Sequence, residues 1–475
     1  GRRVLKLDGL KGLREISMFT GSGGGVLAAR LLGWETVQYV EWDTYCQEIL
    51  RARIKDGFFH DAPIHDDVST FDGTPFREKV DVVSAGFPCF VAGTMVLTLD
   101  GYRPIEDIRV GDSVLTHIGR WRKVTATMIK EGAPLREIKA QGVPSIVCTE
   151  DHPFYVRTKG RAWNNARRSY DHTWCDPVWL EASAIGKSAF LGQVLPPVLN
   201  TDEHTEAFWW VIGRYLADVW RVDRHDRPDG SGRVVVCANR EEAEELKVRL
   251  KVAGFNATPS EERTVIKFHI VQNELFRFTE QFGKYAHGKL LPGWVLHLPQ
   301  EKARALLEGY ATGDGHQTAN ALGSGQHIEI TTVSKALALG IALLTQRAYG
   351  VVASLRLNKV PPTKVIEGRT VRQRDFYKIT IPDVNRSAFV EGDYGWKMLR
   401  SNTPCGKGVV FNIAVDEDES YVADGAVVHN CQPFSVAGKQ ESQNDERNRW
   451  PDTIRVIRDV RPRFAFLENV PGLLA

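Results

Sequence analysis

The sequence predicts three folds in one multi-domain chain: a doubly wound α/β part in two pieces, an all-β part lodged inside it, and a duplicated α+β part lodged inside that. Three patterns carry this reading. Strand, glycine-rich turn and helix alternate near the N-terminus; short alternating strands with frequent turns begin at Met95; and one helix pattern rich in small residues occurs twice between residues 201 and 400. At 475 residues the chain exceeds one typical core, and the length favours about three domains. Charged residues make up 25% and hydrophobic residues 43%, the balance of a soluble globular protein, and the formal charge of +2 neither requires nor excludes nucleic acid. No apolar run approaches the ~18 residues of a membrane span. The opening GRRVLKLDGL has no apolar leader segment, and seven scattered cysteines argue for a reducing compartment, so a cytoplasmic protein of bacterial or phage origin is expected.

In the first piece, Glu15 to Phe19 reads as a strand that runs into Thr20-Gly21-Ser22-Gly23-Gly24-Gly25 and then a helical pattern. Such a turn brings backbone N–H groups and a helix N-terminus close to a nucleotide-like cofactor. Val37 to Val40 is a second strand ending at Glu41-Trp42-Asp43, and an acid roughly 20 residues beyond the glycines is placed to hold ribose hydroxyls. Asp66-Asp67-Val68 follows a short third strand, and Asp81 to Ala85 forms a fourth that leads into Gly86-Phe87-Pro88. After residue 430, Phe464 to Leu467 is a further strand ending at Glu468.

With residues 89–430 removed, Gly86-Phe87-Pro88 joins Cys431-Gln432-Pro433-Phe434-Ser435. That string resembles the nucleophile loop of DNA cytosine-5 methyltransferases. The resemblance implies an S-adenosylmethionine site, with Phe19 against the adenine side and Gly21, Gly23 and Gly24 beneath the methionine part. Glu41 would take the ribose hydroxyls, Trp42 would pack on the adenine, Asp67 would meet the exocyclic amine, and Pro88 belongs to the same loop. It further implies Cys431 as the thiolate that adds to C6 of an extruded cytosine, with Glu468 at the ring-nitrogen side. Nothing after Ala475 supplies the family's target-recognition region, so a complementing C-terminal fragment is the expected partner.

The stretch that would be removed begins CFVAGTMVLTLDGYRPIEDIRVGDSVL and ends DESYVADGAVVHN. Both ends alternate as short strands, the mark of an all-β domain, and they resemble the intein splicing (Hint) fold. In that resemblance Cys89 attacks the Pro88 carbonyl, Thr149 and His152 activate that bond, Cys431 accepts the acyl group, and Asn430 cyclises with His429 as acid; no cofactor is required. Asn412 and Glu419 depart from residues common in the family.

Between residues 201 and 400, Phe208 to Asp218 and Leu306 to Asp314 share one pattern, and Gly254 and Gly350 each lie 36 residues beyond the respective Asp. Equal intervals mark a duplication. Gly213 with Ala217, and Gly309 with Gly313, recur every four residues and share a helical face, so the two helices can pack closely and bring Asp218 and Asp314 together as a Mg²⁺ pair. The pattern resembles LAGLIDADG homing endonucleases, which straddle double-stranded DNA, and Lys267 and Lys378 are candidates for phosphate contacts. The expected division is 1–88, 89–200, 201–400, 401–430 and 431–475. An alternative reading keeps an unspliced or splicing-impaired fragment in which 201–400 only binds DNA.

Overall fold

The computed structural model describes residues 11–20, 23–42, 44–85, 89–164, 168–223, 232–263, 265–319, 326–366, 369–430 and 450–467. Its first unit is a five-stranded parallel sheet. Across the sheet the strands run Ile64–His65, Glu35–Val40, Arg14–Met18, Val82–Ala85 and Phe464–Leu467. In chain order that is 3-2-1-4-5, the doubly wound arrangement with its reversal between the first and fourth strands. The last strand follows an excursion from residue 89 to residue 430, yet it pairs in register with Val82–Ala85.

The helix Trp450–Val460 carries this return. Val456 and Val460 are fully buried with Ile16, Met18, Val40 and Val83. Arg455 donates to the carbonyls of Phe71 (2.7 Å), Val68 (2.8 Å) and Ser69 (3.2 Å). The α/β part is therefore assembled while its chain is still interrupted.

The second unit is a 13-stranded β assembly. Its spine is the antiparallel pair Trp121–Ala140 and Tyr394–Val415, matched from Leu399↔Ala140 to Val415↔Val124 with several register shifts. Such shifts bend and twist a long ribbon. The expected boundary at residue 400 falls inside Tyr394–Val415, whose first residues pair with Phe190–Val194 and with Ala388–Glu391. The β assembly thus resumes at Ala388, before the expected division, because one unbroken strand serves both sides of it.

The third unit repeats itself. The helices Glu206–Asp218 and Gln300–Asp314 are each followed by a four-stranded sheet. The first sheet runs Trp220–Asp223, Gly232–Ala238, Ile266–Ile270, Ala257–Glu261; the second runs Gly315–Ala319, Gln326–Thr332, Phe376–Pro382, Ser354–Asn358. In both, the last two strands are exchanged in the same way. The first helix starts at Thr205, whose side chain accepts from the Phe208 N–H, and the helix Lys335–Tyr349 starts at Ser334 likewise and stops at left-handed Gly350.

The second and third units share a core. Met95, Leu97, Tyr102, Val422 and Val427 of the β assembly pack in one cluster with Leu337, Ala338 and Ile341. Lys335, at the start of that helix, donates to the Gly93 carbonyl at 3.0 Å and pairs with buried Asp424 at 2.8 Å. Burial raises the Asp424 carboxyl, and Lys335 opposes the rise. Among the described residues no helix is long and apolar enough to cross a membrane.

Candidate functional sites

The two ends of the β assembly meet around Phe90. Phe90–Val91 pairs with Cys148 on one side and with Val410 and Phe411 on the other. Its ring lies 4.0 Å from the His152 ring and 6.2 Å from those of Phe154 and Tyr421. Cys89 is 1% exposed. Its N–H donates to Thr149 Oγ1 at 2.8 Å, and the Thr149 N–H donates back to the Cys89 carbonyl at 2.8 Å.

His152 is fully buried, and neither ring nitrogen has a hydrogen-bond partner among the described residues. Burial holds its pKa well below the usual histidine value, and His429 adds to the drop. At neutral pH the ring is uncharged, with one N–H and one lone pair free for chemistry.

At the other end, Ala426–His429 pairs with Ser420–Ala423, and Val428 stands opposite Phe154. His429 Nδ1 lies 2.6 Å from the Asn430 carbonyl oxygen. A carbonyl only accepts, so Nδ1 carries the proton. Burial lowers the His429 pKa, the Asn430 carbonyl raises it, and His117 lowers it. Trp179 stands edge-on to both imidazoles, at 4.9 Å from His429 and 5.5 Å from His117. Asn430 is 2% exposed. Its backbone N–H donates to the Glu419 carbonyl at 2.9 Å, and its amide is satisfied at both ends with Nδ2 toward Glu419 and Oδ1 toward the Val415 N–H. Asn412 Oδ1 accepts from the Tyr421 hydroxyl at 2.7 Å, which fixes that departure from the family inside the core. Cys148 is buried and burial pushes its thiol up, as expected of an inert cysteine.

The two repeat helices touch backbone to backbone. A Cβ on Gly213 would lie 1.9 Å from the Leu306 carbonyl oxygen, and one on Gly309 would lie 2.0 Å from that of Trp210. One on Gly313 would lie 2.6 Å from Ala217 Cβ and 3.3 Å from Asp218 Oδ1. The expected small-residue face is thus the packing face. It brings the C-terminal ends of both helices together, with Asp218 and Asp314 on them.

Desolvation raises both carboxyls, and the Asp314 charge raises Asp218 further. Asp218 Oδ2 accepts from Arg214 at 3.2 Å, whereas its buried Oδ1 has no partner among the described residues. An unpartnered acidic oxygen beside a second carboxylate fits a divalent cation. Among the described residues no group of three or more potential protein ligands surrounds it, so water and phosphate would complete the shell. A cavity of about 150 Å³, lined by Ala217, Tyr310, Asp314, Thr331, Thr332 and Phe376 among others, adjoins Asp314.

Sequence reasoning missed Lys289. Its buried Nζ donates to the carbonyls of Tyr215 (2.7 Å), Ala217 (3.3 Å) and Val219 (2.9 Å), capping the first helix. Burial pushes its pKa down to about 8, opposed by Asp218 and Asp314. No local motif marks this residue, because its partners lie some 70 positions away. Lys267 pairs with Glu262 at 2.5 Å and Lys378 pairs with Glu329, so both expected phosphate contacts carry an anionic partner.

In the α/β part, Phe19, the turn at Gly23 and Gly24, Glu41, Trp42 and Asp67 all follow the C-terminal ends of strands. Gly23 has φ +94° and Phe19 φ +50°. Glu41 is 8% exposed, whereas Trp42 is 69% exposed, an aromatic face open to a flat ring. Asp67 Oδ1 accepts from the Ser69 N–H at 2.8 Å. These residues line the side of the sheet where its strand order reverses, and they fit a nucleoside-bearing cofactor. Gly21, Pro88, Cys431 and Glu468 lie outside the described residues.

Residues 13–91 and 428–475 match the family described as C-5 cytosine-specific DNA methylase, residues 88–154 match the Hint domain, and residues 301–380 match the LAGLIDADG-like domain. The chain carries a cytosine-5 DNA methylase match split around Hint and LAGLIDADG-like matches. The methylase match breaks where the β assembly begins and resumes where it ends.

Among curated relatives, an iron-sulfur cluster assembly SufBD family protein of Mycobacterium tuberculosis is 24% identical over 376 residues, covering 72% of this chain and 43% of that protein. The type II methyltransferase M.NgoMIV of Neisseria gonorrhoeae is 38% identical over 80 residues, 16% of this chain and 25% of its own length. M.BanI of Aneurinibacillus aneurinilyticus is 51% identical over 45 residues, 9% of this chain and 10% of its own. The chain thus spans under half the length of these relatives. Solved structures similar to it include a DnaB intein from Synechocystis sp. PCC 6803 (7% identity, 72% of this chain and 99% of that one, TM-score 0.25) and the homing endonuclease I-DmoI (12%, 37% and 82%, TM-score 0.27).

Proposed function

We propose that the chain is the precursor of a DNA (cytosine-5-)-methyltransferase segment that removes its own interruption, and that the interruption carries a site-specific DNA endonuclease. The observation that carries this is the meeting of Cys89, Thr149, His152, His429 and Asn430 in one β assembly, although the two ends are separated by the whole third unit.

Splicing begins when Cys89 Sγ adds to the Pro88 carbonyl carbon and the Pro88–Cys89 C–N bond breaks, leaving a thioester and the Cys89 amine. Thr149, hydrogen-bonded to that N–H, holds the amide, and uncharged His152 takes the Cys89 thiol proton and passes it to the leaving amine. Cys431 Sγ then takes the acyl group as the thioester C–S bond to Cys89 breaks, and its proton passes to the released Cys89 sulfur. Asn430 Nδ2 attacks its own carbonyl carbon while His429 Nδ1–H supports the oxygen. The bond to Cys431 breaks, and an S-to-N acyl shift joins Pro88 to Cys431. The test is mass analysis of the purified chain under reducing conditions. Release of residues 89–430 supports splicing; full mass that persists identically in Asn430→Ala overturns it.

In the joined product Cys431 stands at the end of the fourth strand, beside the cofactor crevice. Phe19, the Gly21–Gly24 turn, Glu41, Trp42, Asp67 and Pro88 would hold S-adenosylmethionine, which would supply the methyl group. Cys431 and Glu468 act on the extruded cytosine. In the third unit Asp218 and Asp314 would hold a divalent cation such as Mg²⁺, which would supply Lewis-acid chemistry for phosphodiester hydrolysis. Metal-dependent cleavage of the uninterrupted host-gene junction tests this; binding without cleavage would leave the unit a DNA-binding module.

A further inference from the structure

The two repeats share strand order but differ at one connection. In the first, Ala257–Glu261 and Ile266–Ile270 are joined by residues 262–265 alone. In the second, the corresponding strands Ser354–Asn358 and Phe376–Pro382 are joined by residues 359–375. That longer segment forms its own hairpin, Thr363–Ile366 with Arg369–Arg372, which pairs with no other strand among the described residues. Asp375 closes its base by accepting from the Val360 N–H at 2.9 Å.

The hairpin has no folding rationale of its own. Val365 is 65% exposed and Val371 42% exposed. An isolated two-stranded ribbon without a buried face is marginal in water. Its charge is one-sided: from residue 356 to residue 375 the sequence holds Arg356, Lys359, Lys364, Arg369, Arg372 and Arg374 against Glu367 and Asp375. Arg356, Lys359, Lys364, Arg372 and Arg374 are exposed, and none of the ion pairs among the described residues involves them. The short connection of the first repeat is the opposite case, since Glu261 pairs with Arg240 and Glu262 with Lys267.

Register fixes where the hairpin emerges. Ile330, Ile379 and Leu355 stand in one row across the second sheet and face the core. The next row, Thr331, Lys378 and Arg356, therefore faces away from it. The hairpin extends from the edge of this open face, the face a duplex would meet.

We propose that the hairpin strands Thr363–Ile366 and Arg369–Arg372, with the flanking residues 359–362 and 373–375, form a phosphate-contacting arm that extends the grip on double-stranded DNA along one flank only, beyond the second half of the duplicated unit. It rests on the endonuclease reading. The occupant is duplex backbone rather than base edges, because exposed cations outside the ion pairs of the described residues suit phosphate neutralisation. The recognised site is then longer on the side of the second repeat.

The experiment uses the full chain with Cys89→Ala and Asn430→Ala, Ca²⁺ in place of Mg²⁺, and duplex DNA carrying the uninterrupted host-gene junction. Lys364→Gln, Arg372→Gln and Arg374→Gln are introduced together. The salt slope of binding should fall by about 0.9 for each phosphate no longer neutralised, or roughly two to three in all, and the footprint should recede on one flank. An unchanged slope and footprint, or equal recession on both flanks, overturns the arm. Equal competition by single-stranded RNA of the same length also overturns it, by making the hairpin a general polyanion surface. No footprint with the unaltered hairpin removes the endonuclease reading and the arm with it. Unchanged melting and splicing of the triple variant in the otherwise native chain separate a weakened hold on DNA from misfolding.

Discussion

Cys89 and Thr149 exchange two hydrogen bonds of 2.8 Å, the N–H of each serving the other. Thr149→Val keeps the shape and removes the hydroxyl acceptor, leaving a buried N–H unpaired at a cost of about 1–3 kcal/mol. Thioester formation at Cys89, read as thiol-induced cleavage after Pro88, should slow by roughly 10²-fold, as when one group aimed at an acyl-transfer centre is lost. Thr149→Ser should restore most of the rate.

Stability should depend on pH through His152 and His429. Both native pKa values lie below the ordinary 6.5, chiefly through burial. The unfolded chain therefore binds more protons, so their contribution is complete above about pH 6.5 and is lost as pH falls from there toward the native values. Urea midpoints of the Asn430→Ala chain, compared at about pH 7.5 and about pH 5.5, should show the loss. His152→Phe should flatten the dependence without abolishing it, because His429 remains.

The interrupted host sheet should be protected before splicing. In the chain with Cys89→Ala and Asn430→Ala, hydrogen exchange at Phe464–Leu467 should match that at Val82–Ala85, its partner in register. Arg455→Ala removes three hydrogen bonds to carbonyls and should weaken that protection by about 2 kcal/mol. Rapid exchange at Phe464–Leu467 in the parent would show that the halves assemble only after joining.

Asp314→Asn should remove metal-dependent DNA cleavage while splicing continues. Gly309→Ala is different in kind, since its methyl would meet the Trp210 carbonyl and force the helices apart at about 3 kcal/mol. The helix core is continuous with that of the β assembly, so this substitution should reduce splicing as well as cleavage. A Gly309→Ala chain that splices normally at elevated temperature would show that the two units are energetically separate.

The chemistry-bearing ends and the local elements could be read from residue order. Cys89 and His429-Asn430 stand out because the resemblance to inteins puts those residue types at the cut points, and Gly213/Ala217 with Gly309/Gly313 because helical spacing puts small residues on one face. The equal intervals to Gly254 and Gly350 exposed the duplication for the same local reason. What depends on distant partners emerged only from the packed chain: Lys289 reaching carbonyls some 70 residues away, Trp179 set between two imidazoles, and Tyr394–Val415 crossing the expected boundary at residue 400. Burial, unlike residue type or spacing, belongs to the whole folded chain. It lowers the pKa of His152, and the buried Asp424 that meets Lys335 ties the helix Lys335–Tyr349 of the third unit to the β assembly.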